Sequence, residues 1–298
     1  MTDVSWADHQ PSAWPGGGAV DRVVSCDLVF DVEEPADLAL HVAAANSRVV
    51  HAERLTVTTN GTALPTPLEL AAPHLGRLHL LRAPRGVLSI SYWAELDTPP
   101  TPASQPPDLL HHGPPPLPDL EQITNQRASR YCPSDQAVGF AVAEFGDLPP
   151  GRPRVEAITE WINTRVGYVP GSSNVHSTAA DALLTGQGVC RDFAHLGVML
   201  CRALQIPARF TAVYAPGLTP MDFHAVFEAW HDGAWWTYDP TYQAPRAGLV
   251  RIATGRDATD TAFLTVMRGI IDLRSIEVTA TVTGMLPFDD NLTPHQLS

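Results

Sequence analysis

The sequence predicts an α+β protein in two parts: a β-sandwich over residues 1–115 and a unit of helices on an antiparallel sheet over residues 116–298. Three observations lead there. Short apolar-alternating runs separated by turn signals fill the first part. A proline-dense stretch, "DTPPTPASQPPDLLHHGPPPLPDL", then interrupts the chain over 97–120. After it the apolar residues recur at helical spacing and are followed by a hairpin signal at Asp232-Gly233.

The runs "VVSCDLVFDV", "LALHVAAA", "ERLTVTTNG", "GRLHLLRAP" and "GVLSISYWAEL" read as strands, with turns at Asn60-Gly61 and Pro84-Arg85-Gly86. The proline-dense stretch cannot form a helix or a central strand and reads as an extended linker that closes the first part. Its His111-His112 pair reads as solvated loop. "RVEAITEWINTRV" places Val155, Ile158, Ile162 and Val166 on one helical stripe. "STAADALLTG" starts at a Ser177 cap and ends at Gly186. A third helix runs from Cys190 to Leu204, with Phe193, Leu196, Gly197, Leu200 and Leu204 on one face and Pro207 beyond its end. Three strands come next, 208–215, 224–231 and 234–239, and "SIEVTATVTG" adds one near the C-terminus.

The chain carries 32 acidic against 19 basic residues, a formal charge of −13. A negative field of this size disfavours nucleic acid and anionic membranes as partners. The first residues lack the basic-then-apolar order of a secretory leader, and no run reaches the apolar length of a membrane span. Of Cys26, Cys132, Cys190 and Cys201, none forms a C-x-x-C pair. The expectation is a cytoplasmic protein with reduced thiols and no cofactor.

Cys190 stands behind two glycines, Gly186 and Gly188, at the start of a helix. Free N–H groups there favour negative charge, so a thiolate is stabilised and is available for acyl transfer. The hairpin supplies partners. With the turn at Asp232-Gly233, His231 opposes Ala234, Val226 opposes Asp239, and His224 opposes Thr241. His224 and Asp239 then lie diagonally on one face, roughly 7–8 Å apart at the backbone. A slip of one residue would separate them. The expected roles are nucleophile for Cys190, general base and acid for His224, and orienting carboxylate for Asp239. The Cys190 N–H is an oxyanion donor at the helix start, and Gln187 and Tyr168 are further donor candidates.

"GQGVCRDFAHLGVMLCRALQIPARF" and, after it, "DFHAVFEAWHDGAWWTYDPT" resemble the core of the transglutaminase-like superfamily, over roughly residues 125–260. The resemblance implies a papain-like fold in which a helix bearing Cys packs on an antiparallel sheet bearing His and then Asp. Cys190, His224 and Asp239 fall on the family's triad positions. The first part resembles the β-rich N-terminal domain of the bacterial branch. No acidic loop resembles the calcium sites of animal transglutaminases, so no metal is implied. The activity implied is acyl transfer on a peptide or protein substrate through a Cys190 thioester. Hydrolysis is slightly favoured, and an amine acceptor or a non-catalytic binding module on the same fold is the alternative.

Other residues carry plainer readings. Trp161, Trp235 and Trp236 are core candidates that also qualify as walls of a substrate groove. Cys201, about three turns along the same helix, reads as core. Cys132 reads as an anchor, Asp192 as a capping carboxylate and His195 as packing. Arg256 and Asp257 are expected to form an ion pair.

Overall fold

The computed structural model describes residues 20–97 and 119–297. The two histidines of the proline-dense stretch and most of that stretch lie outside the described residues, as do the first nineteen positions.

Six strands come first: β1 (Val20–Leu40), β2 (Val50–Thr59), β3 (Thr62–Ala63), β4 (Leu68–Ala71), β5 (Arg77–Ala83) and β6 (Gly86–Asp97). Next are α1 (Leu120–Thr124), α2 (Val138–Phe145), α3 (Arg152–Arg165), β7 (Gly167–Tyr168), α4 (Ala179–Thr185), β8 (Gln187–Gly188) and α5 (Cys190–Ala203). The remainder is β9 (Ala208–Tyr214), β10 (Phe223–His231), β11 (Ala234–Tyr238), β12 (Val250–Gly255), α6 (Ala258–Thr261) and β13 (Leu264–Val282).

The first part differs from the sandwich expected of it. Its strands form one continuous antiparallel sheet, ordered β3-β2-β6-β1-β5-β4, with β13 on the other edge of β1. Two runs that read as separate strands are the halves of β1, which passes through Glu33-Glu34-Pro35 without ending. Pro35 cannot donate to a ladder, and pairing with β13 is irregular there, with shifts between Val32 and Glu34 and between Glu34 and Asp37. The bulges bend the strand, so β6 pairs with its first half and β5 with its second. Residues 264–282, expected in the second part, belong to this sheet instead. The long outer edge of β1 needs a partner, and β13 supplies it from the far end of the chain.

The second sheet is ordered β11-β10-β9-β12 and is antiparallel throughout. Its core with α5 is apolar: Phe193, Leu196 and Leu200 of α5 are buried with Phe210, Ala225 and Phe227. Gly197 lets helix and sheet close up. A Cβ there would sit 2.4 Å from the Phe227 ring. Tyr214, Val250 and Ile252 of this sheet are buried among the inner residues of the first, and the Tyr214 hydroxyl donates to the Val42 carbonyl at 2.7 Å. The two parts therefore share a core.

A buried ionic cluster reinforces that junction. Glu228 of β10 accepts two bonds from Arg251, at 2.8 and 2.9 Å, and one from Arg209 at 2.8 Å. The guanidinium of Arg209 continues to Glu121 of α1 and to His74 of the first part. Among the described residues no helix is long and apolar enough to cross a membrane.

Candidate active site

The hairpin turn behaves as its two residues require. Asp232 and Gly233 both take positive φ, 50° and 78°, the backbone of a tight two-residue connection. The register is set by it: His231 pairs with Ala234 and Phe227 with Tyr238. The ladder with β11 ends at that last pair, so His224, Ala225 and Val226 have no β11 partner on that edge. The chain leaves there at Asp239-Pro240. His224 Nε2 and Asp239 Oδ2 are 2.8 Å apart, both side chains fully buried.

The carboxylate is held on its other side too. Asp239 Oδ1 accepts from the Thr241 N–H at 2.9 Å and from its hydroxyl at 2.7 Å. Thr241 is not among the residues expected at the site from sequence. A signal for it is present, since an Asp two residues before Thr is a local side-chain-to-backbone turn. Asn163 of α3 pins the same turn by donating to the Pro240 carbonyl at 2.9 Å.

The other imidazole nitrogen, Nδ1, is buried and has no hydrogen-bond partner among the described residues. The nearby thiol is Cys190. Burial disfavours the imidazolium, but the Asp239 charge and hydrogen bond outweigh it, with a further contribution from the Cys190 thiol, and lift His224 to about 10.

Cys190 is the first residue of α5, so its N–H has no intrahelical acceptor. Asp192 fixes this end of the helix. It is buried, and its Oδ2 accepts from the Val189 N–H at 2.9 Å. Arg191 reaches Asp192 at 3.2 Å and the Asn174 carbonyl at 2.7 Å, and Ser173 donates to the same carboxylate. The loop ahead of α4 is thereby tied to the helix end that carries the thiol. Of the four cysteines, all free, Cys190 alone is half-buried.

Tyr168 enters through a short parallel ladder, Tyr168 opposite Gly188, two residues before Cys190. Burial, and next the charge of the Cys190 sulfur, push its hydroxyl up to about 12. The Tyr168 hydroxyl is within reach of both the Cys190 sulfur and the Cys190 N–H.

The arrangement is a thiol, an imidazole and a carboxylate in series. Comparison with known proteins gives the family. Residues 142–240 match the family model for the transglutaminase-like superfamily core. A crystal structure from Cytophaga hutchinsonii, described as a "Putative Cysteine Protease", superposes with a TM-score of 0.79 at 34% identity, covering 92% of this chain and 96% of that one. The chain belongs to the transglutaminase-like superfamily. A protein of Mycobacterium leprae (strain TN), described as uncharacterized, is 37% identical over 149 residues. The match covers 46% of this chain, and the chain spans about half, 52%, of that relative's length.

Within this transglutaminase-like fold the remaining sequence candidates are dispersed. Gln187 is exposed in β8, opposite Gly167. Trp161 packs edge-on against Phe140, ring centres 5.3 Å apart. Trp235 lies under the Arg209 guanidinium at 4.2 Å, and Trp236 donates to the His231 carbonyl at 3.0 Å. Both sit near the hairpin turn, several residues along the strands from His224, and all three tryptophans have packing partners of their own. The α4 cap is Thr178, in a reciprocal pair with Asp181, and not Ser177, whose hydroxyl accepts from Asn174. Arg256 pairs with Asp260 at 2.9 Å instead of Asp257, because Asp257 is committed to the N–H groups of Tyr131 and Thr259.

Proposed function

We propose that the protein is a cysteine-dependent acyl-transfer enzyme that cleaves a peptide or amide bond through a thioester on Cys190, with water as the acceptor. One observation carries the reading: His224 is bonded to Asp239 through Nε2 at 2.8 Å, while Nδ1 is buried without a partner among the described residues, next to a half-buried thiol.

The chemistry derives from those positions. His224 holds the thiol proton, and the thiolate attacks the substrate carbonyl carbon. The oxygen takes the negative charge and is met by the Cys190 N–H and the Tyr168 hydroxyl. As the C–N bond breaks, the imidazolium gives its proton to the departing amine, leaving an acyl-cysteine. His224 then takes a proton from water, the hydroxide attacks the thioester, and the thiol is regenerated. Asp239 keeps the ring in one orientation and stabilises its charged form at both stages.

The test is mass spectrometry of the intact protein with a peptide library. An adduct confined to Cys190, absent in Cys190→Ala, and peptide release without amine incorporation are the expected results. All 19 basic residues of the chain are arginine and none is lysine, so an added amine meets no competing lysine on the chain itself. Incorporation of an added primary amine in preference to hydrolysis would replace water with an amine as the acceptor. Turnover retained in Cys190→Ala would end the reading.

A further inference from the structure

Asp239 stands just beyond the end of the β10–β11 ladder, whose last pair is Phe227 and Tyr238. β11 is an edge strand, with β10 on one side only. Thr237 of β11 is fully buried, so its main-chain groups need partners within the protein. The C-terminal tail and Arg246 supply them, although residues 283–297 form neither helix nor strand. The Thr237 N–H donates to the His295 carbonyl at 2.7 Å, and its hydroxyl accepts from the Leu297 N–H at 3.1 Å. Its carbonyl accepts from Arg246 Nη1 at 3.1 Å.

Arg246 ties the tail to the far end of the same turn. It is buried, and its Nε and Nη2 donate to the Asp289 carboxylate at 2.9 and 2.7 Å. Its N–H donates to the same carboxylate at 2.7 Å, and Nη2 also reaches the Thr293 carbonyl at 3.0 Å. Burial opposes the charge on Asp289, but the bonds from Arg246 hold its carboxyl down at about 2, so this fork stays charged at neutral pH. At the other end of the tail, Leu297 is buried in one cluster with Val226, two residues from His224, and its carbonyl accepts from Arg251 at 2.7 Å. The stretch that contains Asp239, residues 237–246, is thus fastened to the tail at both ends.

We propose that residues 289–297 are a strap that positions Asp239, with Arg246 and Thr237 as the positioning residues through which it acts on the site. The inference rests on the acyl-transfer reading above for its turnover readout alone. Asp239 has no ladder partner of its own, so its 2.8 Å contact with His224 depends on how the flanking residues are held. Thr241 shapes the turn from within and Asn163 pins its Pro240 carbonyl, whereas the strap fixes the two ends. With the strap undocked, the edge of β11 loses its partners and the carboxylate its fixed place beside the imidazole.

The experiment uses the full chain with single substitutions, below the melting temperature of every variant. It reads the His224 titration by NMR of the imidazole carbon, and kcat and KM where a peptide is cleaved. Asp289→Asn removes the charge of the fork with little change of shape. It should lower the His224 titration by about one pH unit and kcat about tenfold with KM little changed, since one unit corresponds to a tenfold weaker hold on the charged ring. Asp289→Glu should restore part of both. Leu297→Ala, at the far end of the strap, should give a smaller shift in the same direction, although Leu297 bonds neither His224 nor Asp239. Variants that melt lower but keep the wild-type His224 titration and kcat overturn the proposal, because the tail then only adds stability. If Asp289→Asn does not fold, Leu297→Ala decides by the same criterion. If the wild type cleaves no peptide, the acyl-transfer reading falls, and the His224 titration by itself decides the strap.

Discussion

Two buried histidines lie near Cys190, one in the sheet beside its helix and one on the helix itself, and they are shifted in opposite directions. His224 has a carboxylate at 2.8 Å and is lifted to about 10. His195, on α5, is stacked on Tyr131 and tilted against Phe210, and its Nε2 accepts from the Ala258 N–H at 3.1 Å. Burial holds it down at about 3, with the more distant Asp257 and Asp192 unable to compensate. Burial alone makes an imidazole neutral. A directly bonded carboxylate reverses the sign, and that single contact separates a group able to carry a proton through a reaction from one that fills space.

The largest expected effect comes from erasing that contact. Asp239→Ala should make His224 resemble His195: its titration, tracked by NMR of the imidazole carbon, should fall below 6.5. Turnover should drop about 10³–10⁴-fold, as when an orienting carboxylate is lost from a triad. A His224 titration that stays near 10 in this variant would show that something other than Asp239 holds the charge.

The cysteines extend the contrast. Cys26, Cys132 and Cys201 are buried, and burial pushes each thiol up, Cys26 to about 11 and the other two further. Iodoacetamide at neutral pH should label Cys190 about 100-fold faster than any of them, read by peptide mapping, because only the accessible thiolate reacts. Comparable labelling of Cys201 in the native state would remove the distinction.

Stability against pH should show both histidines with opposite signs. His224, raised when folded, adds stability that is complete below its unfolded value of 6.5 and is lost as pH rises through about 10. His195, lowered when folded, adds stability that is present above 6.5 and is lost as pH falls toward 3. Urea midpoints of His195→Phe should therefore lose up to one proton of slope on the acid side only. His224→Phe should lose it on the alkaline side only. Identical profiles for the two variants would contradict the assignment.

The smallest effect is the outermost. Thr241→Val removes one of the two bonds to Asp239 Oδ1 and leaves the Thr241 N–H in place. A fall of about threefold to tenfold in kcat with little change in KM is expected, since only the orientation of the carboxylate loosens. A loss as large as that of Asp239→Ala would make Thr241 part of the reacting set.

The features legible in the sequence were local. The Asp232-Gly233 turn fixes the register of β10 and β11 through backbone geometry alone, and that register brings together residues 15 apart, His224 and Asp239. The start of α5 is likewise written in its first residues, with Asp192 capping three positions after Val189. Tertiary structure decided the rest. The continuation of β1 through Pro35 depends on β13, which arrives from more than 200 residues away, and no short-range signal specifies that pairing. Backbone propensity acts within a turn or a strand. Burial, charge balance and long-range pairing are properties of the assembled neighbourhood, and for this protein they separate the histidine bonded to a carboxylate, His224, from the one that is stacked among aromatic rings, His195.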